Sequence, residues 1–317
     1  MHGRPLIRPL IPYSCLTDPS GRVTAYEHDA LGRPIAIRRP DGSVLRFGHD
    51  ANGNMSLLVN PSEVSHEFSF NRVNLPSSYR TPLSGSYQYR YDRDRRPLET
   101  IFPSGRVVRH TYDKGLLSRT TTPEGEIDFG YLCGGKIGTI TARGEGLSYT
   151  YDGSLLTSEK SSGGLNQSLS YRYNNDFQPV EAVYAGAAIA YGYDADGLLT
   201  QAGDFTIARH AGNGLPLQVS GQGLEISRAF TGYGELAGQS VSVGGGAVSA
   251  FNLARDASGR IVRRNEAFGG AAAVYDYLYD ANGRLLKVLK DTVPVEEYAY
   301  DEAGTRIFER SSLRCHR

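Results

Sequence analysis

A two-turn unit returning about every 21 residues constrains this 317-residue chain more than any other feature. Take as marker the aromatic residue or histidine that precedes each second turn. The markers are His28, His49, Phe70, Tyr91, Tyr112, Tyr131, Tyr151, Tyr173 and Tyr193, separated by 21, 21, 21, 21, 19, 20, 22 and 20 residues. The register loosens through His210 and Phe230, resumes at Arg255, and continues at Tyr279 and Tyr300. An independent series, Pro19, Pro40, Pro61, Pro82, Pro103 and Pro123, keeps the same period.

Each unit reads as two turns and two strands. Pro-x-Gly supplies the first turn, because proline presets φ and glycine accepts a positive φ. A strand such as "RVTAYEH" (Arg22 to His28) or "RVVRHTY" (Arg106 to Tyr112) follows. Asp-x-x-Gly supplies the second turn, where the Asp side chain can accept bonds from its own backbone. The return strand, "RPIAIRR" (Arg33 to Arg39) or "RLLKVLK" (Arg284 to Lys290), closes the unit. Short connections force antiparallel neighbours. The expected fold is therefore all-β: an extended antiparallel ribbon of tandem hairpins over residues 18–310. A lead-in of 1–17, an irregular stretch at 203–246 and a tail of 311–317 complete the division. Fourteen markers with two strands each give about 28 strands, or roughly 130 Å of sheet at the usual strand spacing. A sheet that wide does not stay flat. Closed to that circumference, it would be on the order of 40 Å across.

The aromatic residues come in pairs two apart, among them Tyr26 with His28, Phe68 with Phe70, Tyr89 with Tyr91, Tyr171 with Tyr173 and Tyr298 with Tyr300. That spacing puts both rings on one face of a strand. Repeated strand after strand, the pairs are expected to stack in rows that hold the sheet together. Rows open to solvent would instead make a surface on which sugars could stack.

Composition agrees with a β-rich chain. Glycine (38), proline (15) and tyrosine (21) are abundant and tryptophan is absent, which disfavours long helices and suits a pleated surface. Lys plus Arg equals Asp plus Glu at 34 each, so no charge excess points to nucleic acid or an anionic membrane. Cys15, Cys133 and Cys315 are too few and too scattered for a disulfide framework or a zinc knuckle. No apolar run approaches the ~20 residues that span a bilayer. "LIRPLIPYSCL" (Leu6 to Leu16) is interrupted by Arg8, Pro9 and Pro12, so no signal peptide is visible.

Motifs for chemistry are missing. There is no His-Glu-x-x-His, P-loop or Gly-x-Ser-x-Gly elbow. "GYGELAG" (Gly232 to Gly238) has the wrong spacing for a dinucleotide loop, and no helix pattern follows it. "DADG" (Asp194 to Gly197) carries two carboxylates, but as one turn of a regular repeat it needs no calcium. His28, His49 and His110 occupy ordinary aromatic positions. Neither a cofactor nor a catalytic residue is expected.

The recurring Tyr-Asp, glycine and aliphatic tail resemble the YD-repeat, or Rhs, family, which includes bacterial Rhs and wall-associated proteins, shell subunits of insecticidal toxin complexes, and the extracellular part of teneurins. The match runs from about Asp18 to Glu309. It is carried by Tyr91-Asp92, Tyr112-Asp113, Tyr151-Asp152, Tyr193-Asp194, Tyr279-Asp280 and Tyr300-Asp301, with the turn glycines Gly197, Gly283 and Gly304. Phe70-Asn71, Tyr131-Leu132, Tyr173-Asn174 and the stretch from Gly203 to Gly246 depart from it. The resemblance implies a ribbon that spirals into part of a hollow shell enclosing a toxic C-terminal cargo. It also implies partners in the remainder of a longer shell and its cargo domain, and a secreted or cell-surface location. No plug, cargo or cleavage segment of the kind found in that family is recognisable, so the chain reads as a stretch of a longer shell. The alternative is a cell-surface carbohydrate-binding or adhesion module, with a cell-surface glycan as partner. An enzyme with its site in the irregular stretch or at an edge of the ribbon is a third reading.

Overall fold

The computed structural model describes residues 15–83 and 85–311. Cys315, most of the lead-in and the end of the tail lie outside them. The described residues form 29 strands in one sheet, from β1 (Cys15–Thr17) to β29 (Arg306–Ser311), and no helix. Where registers are defined, each strand pairs antiparallel with the next along the chain. The stretch 203–246 continues this meander with strands Phe205–Arg209, Pro216–Gly221, Leu224–Phe230 and Leu236–Val243.

Local sequence explains the repeat. In the hairpin joining β2 (Val23–His28) to β3 (Pro34–Arg38), the Gly32 N–H donates to the Asp29 carbonyl at 3.0 Å, closing a tight turn. The Asp29 N–H then donates to the Arg33 carbonyl at 2.9 Å. Gly32 sits at φ 78°, the left-handed position that a three-residue hairpin loop with a bulge requires. Pairing then slips by one residue just before the marker: Glu27 faces Ala36, but His28 faces Pro34. The same slip precedes His49, Phe70, Tyr91, Tyr131, Tyr173, Tyr279 and Tyr300. In these repeats the aromatic marker therefore ends its strand beside a bulge, which adds local twist.

The chain divides into two compact units, residues 1–87, 253–265 and 273–317 in one and residues 88–252 and 266–272 in the other. In both, the sheet is a single layer. Among the described residues the buried apolar side chains are Ala36, Pro61, Ala182 and Val288. Strand Ser65–Phe70 shows the underlying alternation: His66, Phe68 and Phe70 are half-buried, while Ser65, Glu67 and Ser69 are exposed. The face opposite the rings carries ion pairs between directly facing residues: Glu67 with Arg80, Arg90 with Glu99, Arg119 with Asp128, Arg172 with Glu181, and Lys287 with Glu297. Cross-strand pairs of this kind stabilise by roughly 0.2–1 kcal/mol each. Cohesion comes from the backbone ladder and these lateral contacts rather than from an interior.

Candidate functional site: the Tyr-Asp turn and the edge seam

The Asp that follows the marker organises its turn. Asp280 Oδ1 accepts the Arg284 N–H at 2.8 Å, and its Oδ2 takes the Arg284 Nε at 2.5 Å. Asp18 with Arg22, Asp29 with Arg33, Asp92 with Arg96, and Asp256 with Arg260 repeat this clasp. The Arg22 side chain, followed by that residue's N–H, holds the Asp18 carboxyl below its usual range, against a smaller opposing effect of burial.

The arginine also reaches into the next repeat. Arg96, Arg260 and Arg284 lie over the rings of Tyr112, Tyr279 and Tyr300 at 4.7, 4.7 and 4.8 Å. Those tyrosines, and Tyr151 and Tyr193 as well, turn their hydroxyls back to the preceding return strand. Tyr112 donates to the Pro97 carbonyl at 2.9 Å, Tyr151 to Ile137 at 3.1 Å, Tyr193 to Pro179 at 2.8 Å, Tyr279 to Ile261 at 2.7 Å, and Tyr300 to Leu285 at 2.8 Å. Pro97, Ile137, Pro179 and Leu285 are the residues that face the preceding repeat's marker. Asp92–Arg96–Tyr112, Asp256–Arg260–Tyr279 and Asp280–Arg284–Tyr300 thus each form a relay from one hairpin to the next.

This changes the expected picture of stacked rings. Ring-on-ring contact is seen around Tyr79, which stacks with Phe68, His66 and Tyr87, and between Tyr26 and His28. Where an arginine covers the ring and the hydroxyl is engaged, the tyrosine offers no open platform to a sugar.

The fifteen repeat residues are strung along the ribbon rather than gathered at one point. Tyr91, Tyr193, Tyr279 and Tyr300 each end their strands. Asp92, Asp194, Asp280 and Asp301 each accept the backbone N–H four residues on, with the arginine clasp added at Asp92 and Asp280, and Gly197, Gly283 and Gly304 take the left-handed position. Tyr112-Asp113 and Tyr151-Asp152 differ: the connection there is two residues long, and Asp113 faces Leu116 while Asp152 faces Leu155 as paired strand residues. One residue fewer between Asp and the return strand removes the Asp-capped loop. Among the described residues no cluster of His, Cys, Asp or Glu could hold a metal ion.

Within the first unit, the two edges of the ribbon meet. Hairpin turns alternate between a Pro-x-Gly edge and a Tyr-Asp edge. Turns about 240 residues apart come into contact across these edges. Ser20 Oγ lies 2.7 Å from Ser258 Oγ, and Ser258 Oγ donates to Asp18 at 3.4 Å. The Asp41 N–H donates to Asn282 Oδ1 at 3.2 Å, the Asn282 amide donates back to the Asp41 carboxylate, and Arg284 lies 3.6 Å from the same carboxylate. Burial alone would raise the Asp41 pKa, yet hydrogen bonds from Ser43, the charge of Arg284 and the Asn282 amide outweigh it and leave the carboxyl lowered. A cavity of about 410 Å³ sits beside this seam, lined by Arg22, Arg39, Pro40, Asn282, Arg284 and Gly304 among others. No sequence signal marked the seam, because nothing in a local repeat says which distant turn it meets.

Residues 15–313 match the family model described as Teneurin YD-shell. The chain belongs to that family. No curated protein matches it. Its YD-shell fold is shared with solved structures of low identity. The Tc holotoxin pore of Photorhabdus luminescens with a TccC3 mutation aligns with TM-score 0.77 at 12% identity, over 91% of this chain and 18% of that one. The TcdB2-TccC3-Cdc42 crystal structure aligns with TM-score 0.71 at 11% identity, over 94% of this chain and 22% of that one. This YD-shell chain thus spans about a fifth of the length of the toxin-complex chains it resembles.

Proposed function

We propose that this chain is a stretch of wall in a larger YD-repeat shell, and that its work is mechanical: it bounds a compartment that keeps a toxic polypeptide cargo away from its surroundings. The observation that carries the reading is the seam. A single-layer ribbon can bound a volume only if its successive turns join edge to edge, and here Ser20 with Ser258 and Asp41 with Asn282 join them. The opposite charges facing each other across the non-aromatic face suit a wall, since paired side chains present little net field to an enclosed chain. Catalysis is no part of this role. The TcdB2-TccC3 likeness supports the toxin-complex setting, and with it a site of action outside the producing cell.

The test is to isolate the longest natural protein that contains this stretch, image it, and digest it with a nonspecific protease. A hollow particle whose internal segment survives digestion until the wall is opened is the expected result. A solid particle, or an internal segment digested as fast as a free peptide, overturns the reading.

A further inference from the structure

Two turns of this chain share one tetrapeptide. Asp-Ala-Asn-Gly occupies 50–53 and again 280–283, and Asn213–Gly214 is the remaining Asn-Gly pair in the sequence. Asparagine before glycine carries a reaction of its own. The glycine N, with no β-carbon on its residue to hinder it, attacks the asparagine Cγ. The N–Cγ bond forms, the Cγ–Nδ2 bond breaks, and the proton of the glycine N departs with the amine as ammonia. The chain is left with a succinimide ring, which water opens to aspartate or isoaspartate. The reaction consumes only water, but the carboxamide must be free to turn towards the glycine N.

The two copies have nearly the same local geometry. Gly53 and Gly283 sit at φ 88° and 83°, and each N–H donates to the carbonyl of its turn's Asp at 3.0 Å. Their surroundings differ. Asn52 is exposed, and its amide donates to Asn74 Oδ1 at 3.2 Å. Asn282 is half-buried and held at both ends by one residue of the facing edge: its Oδ1 accepts the Asp41 N–H at 3.2 Å, and its amide donates to the Asp41 carboxylate.

We propose that Asn282 is a deamidation site guarded by the seam: the reaction proceeds when the edges part, and its product does not re-form the contact. While the seam is closed, the Asn282 carboxamide cannot turn towards the Gly283 N without giving up both bonds to Asp41. Once it opens, Asn282 is as free as Asn52. Deamidation then replaces the donor that faced the Asp41 carboxylate by an acceptor, and sets a second negative charge against the first. Arg284 is a poor neutraliser of that pair, since it is clasped to Asp280 at 2.5 Å and lies 3.6 Å from Asp41. Arg22 and Arg39 line the cavity beside Asn282, but a carboxylate that turns to them leaves the Asp41 N–H without its acceptor. Isoaspartate displaces that acceptor as well, because the main chain then runs through the former side chain. Asn282 is thus a one-way record of seam opening. This inference uses the seam contacts alone and stands whether or not the wall encloses a cargo.

The matched tetrapeptides supply the internal control. The whole chain is incubated at mildly alkaline pH, folded or in concentrated urea, and conversion at Asn52 and Asn282 is followed by peptide mass spectrometry. Matching rates are expected in urea, and in the folded chain Asn282 should lag Asn52 by about tenfold or more. Asp41→Ala should abolish most of the lag without changing the rate at Asn52. Equal rates in the folded chain, a lag that persists in urea, or a lag untouched by Asp41→Ala overturns the guard. Asn282→Asp then tests the product. Amide exchange at 39–43 is expected to quicken several-fold, with no change at Glu145–Asp152 in the other compact unit, whereas Asn52→Asp should leave 39–43 as it was. Unchanged exchange at 39–43 overturns the one-way step, as does a rise spread equally over both units, which would make Asn282 a residue of general stability.

Discussion

The Arg284 guanidinium lies 4.8 Å from the centre of the Tyr300 ring, while the hydroxyl of that ring donates to the Leu285 carbonyl at 2.8 Å. Two adjacent residues of one return strand thus hold the tyrosine that ends the next outgoing strand, one by its face and one by its tip. Asp280 fixes the arginine in turn. The Tyr-Asp dipeptide is the visible half of this device, and the arginine four positions after Asp92 and Asp280 is the other half.

Replacing Tyr300 by Phe removes the hydroxyl bond and leaves the ring. The expected loss is about 1 kcal/mol of stability, with the Leu285 carbonyl left to water. Tyr233→Phe is the control, since that side chain is 96% exposed and the change should cost nothing measurable. Chemical denaturation of both variants checks the difference.

Gly283 and Gly32 have nearly the same backbone, φ 83° and 78°, but different surroundings. A β-carbon at Gly32 would meet nothing within 4 Å, whereas one at Gly283 would lie 2.6 Å from Arg22 Nη1 and 3.2 Å from Arg260 Nη1. Gly32→Ala should cost about 1 kcal/mol through left-handed strain alone. Gly283→Ala should cost more, because Arg22 must leave its place beside the seam. Equal costs in denaturation would show that the guanidinium yields freely.

The hairpins were legible in the sequence because their causes are local. Asp29, Gly32 and Arg33 close their turn with their own atoms, and the two-residue alternation of Tyr89 and Tyr91 sets the face of the strand whatever lies beyond it. The ring rows were only partly legible. Tyr112 could have stacked on another aromatic side chain, and which contact it takes depends on Arg96 and Pro97 in the preceding repeat. The seam was not legible at all, since Asp41 and Asn282 are 241 residues apart and each looks like an ordinary turn residue.

Phe177 occupies the turn position where sister turns carry glycine, with φ 63° and a side chain 71% exposed. Neither the backbone nor the exposed ring helps this unit fold. Phe177→Gly is therefore expected to raise stability by up to about 1 kcal/mol, the strain relieved being partly offset by the greater freedom of glycine in the unfolded chain. A thermal melt that falls instead would mean that the ring is held by contacts in the folded protein.

Tyr298 and Asp41 set opposite ends of the pH range. The Tyr298 hydroxyl donates to Glu296 at 2.6 Å, and that carboxylate, together with burial, pushes the phenol up to about 12 from 10.0. A raised pKa means that the folded chain holds the proton more tightly. The contribution is complete below pH 10 and disappears as pH rises from 10 towards 12. Tyr298→Phe should flatten that alkaline loss. Asp41 behaves in the reverse sense: its pKa is lowered from 3.8, so the contribution of its carboxylate to the seam is complete above that value and is lost as pH falls through the lowered one. Amide exchange at 39–43 and 280–284 should hence stay constant, after correction for the intrinsic pH dependence, from neutral pH to about pH 5 and rise only in stronger acid. Opening of the seam already near pH 6 would require a titrating group other than Asp41, because no carboxylate with a depressed pKa changes its charge there.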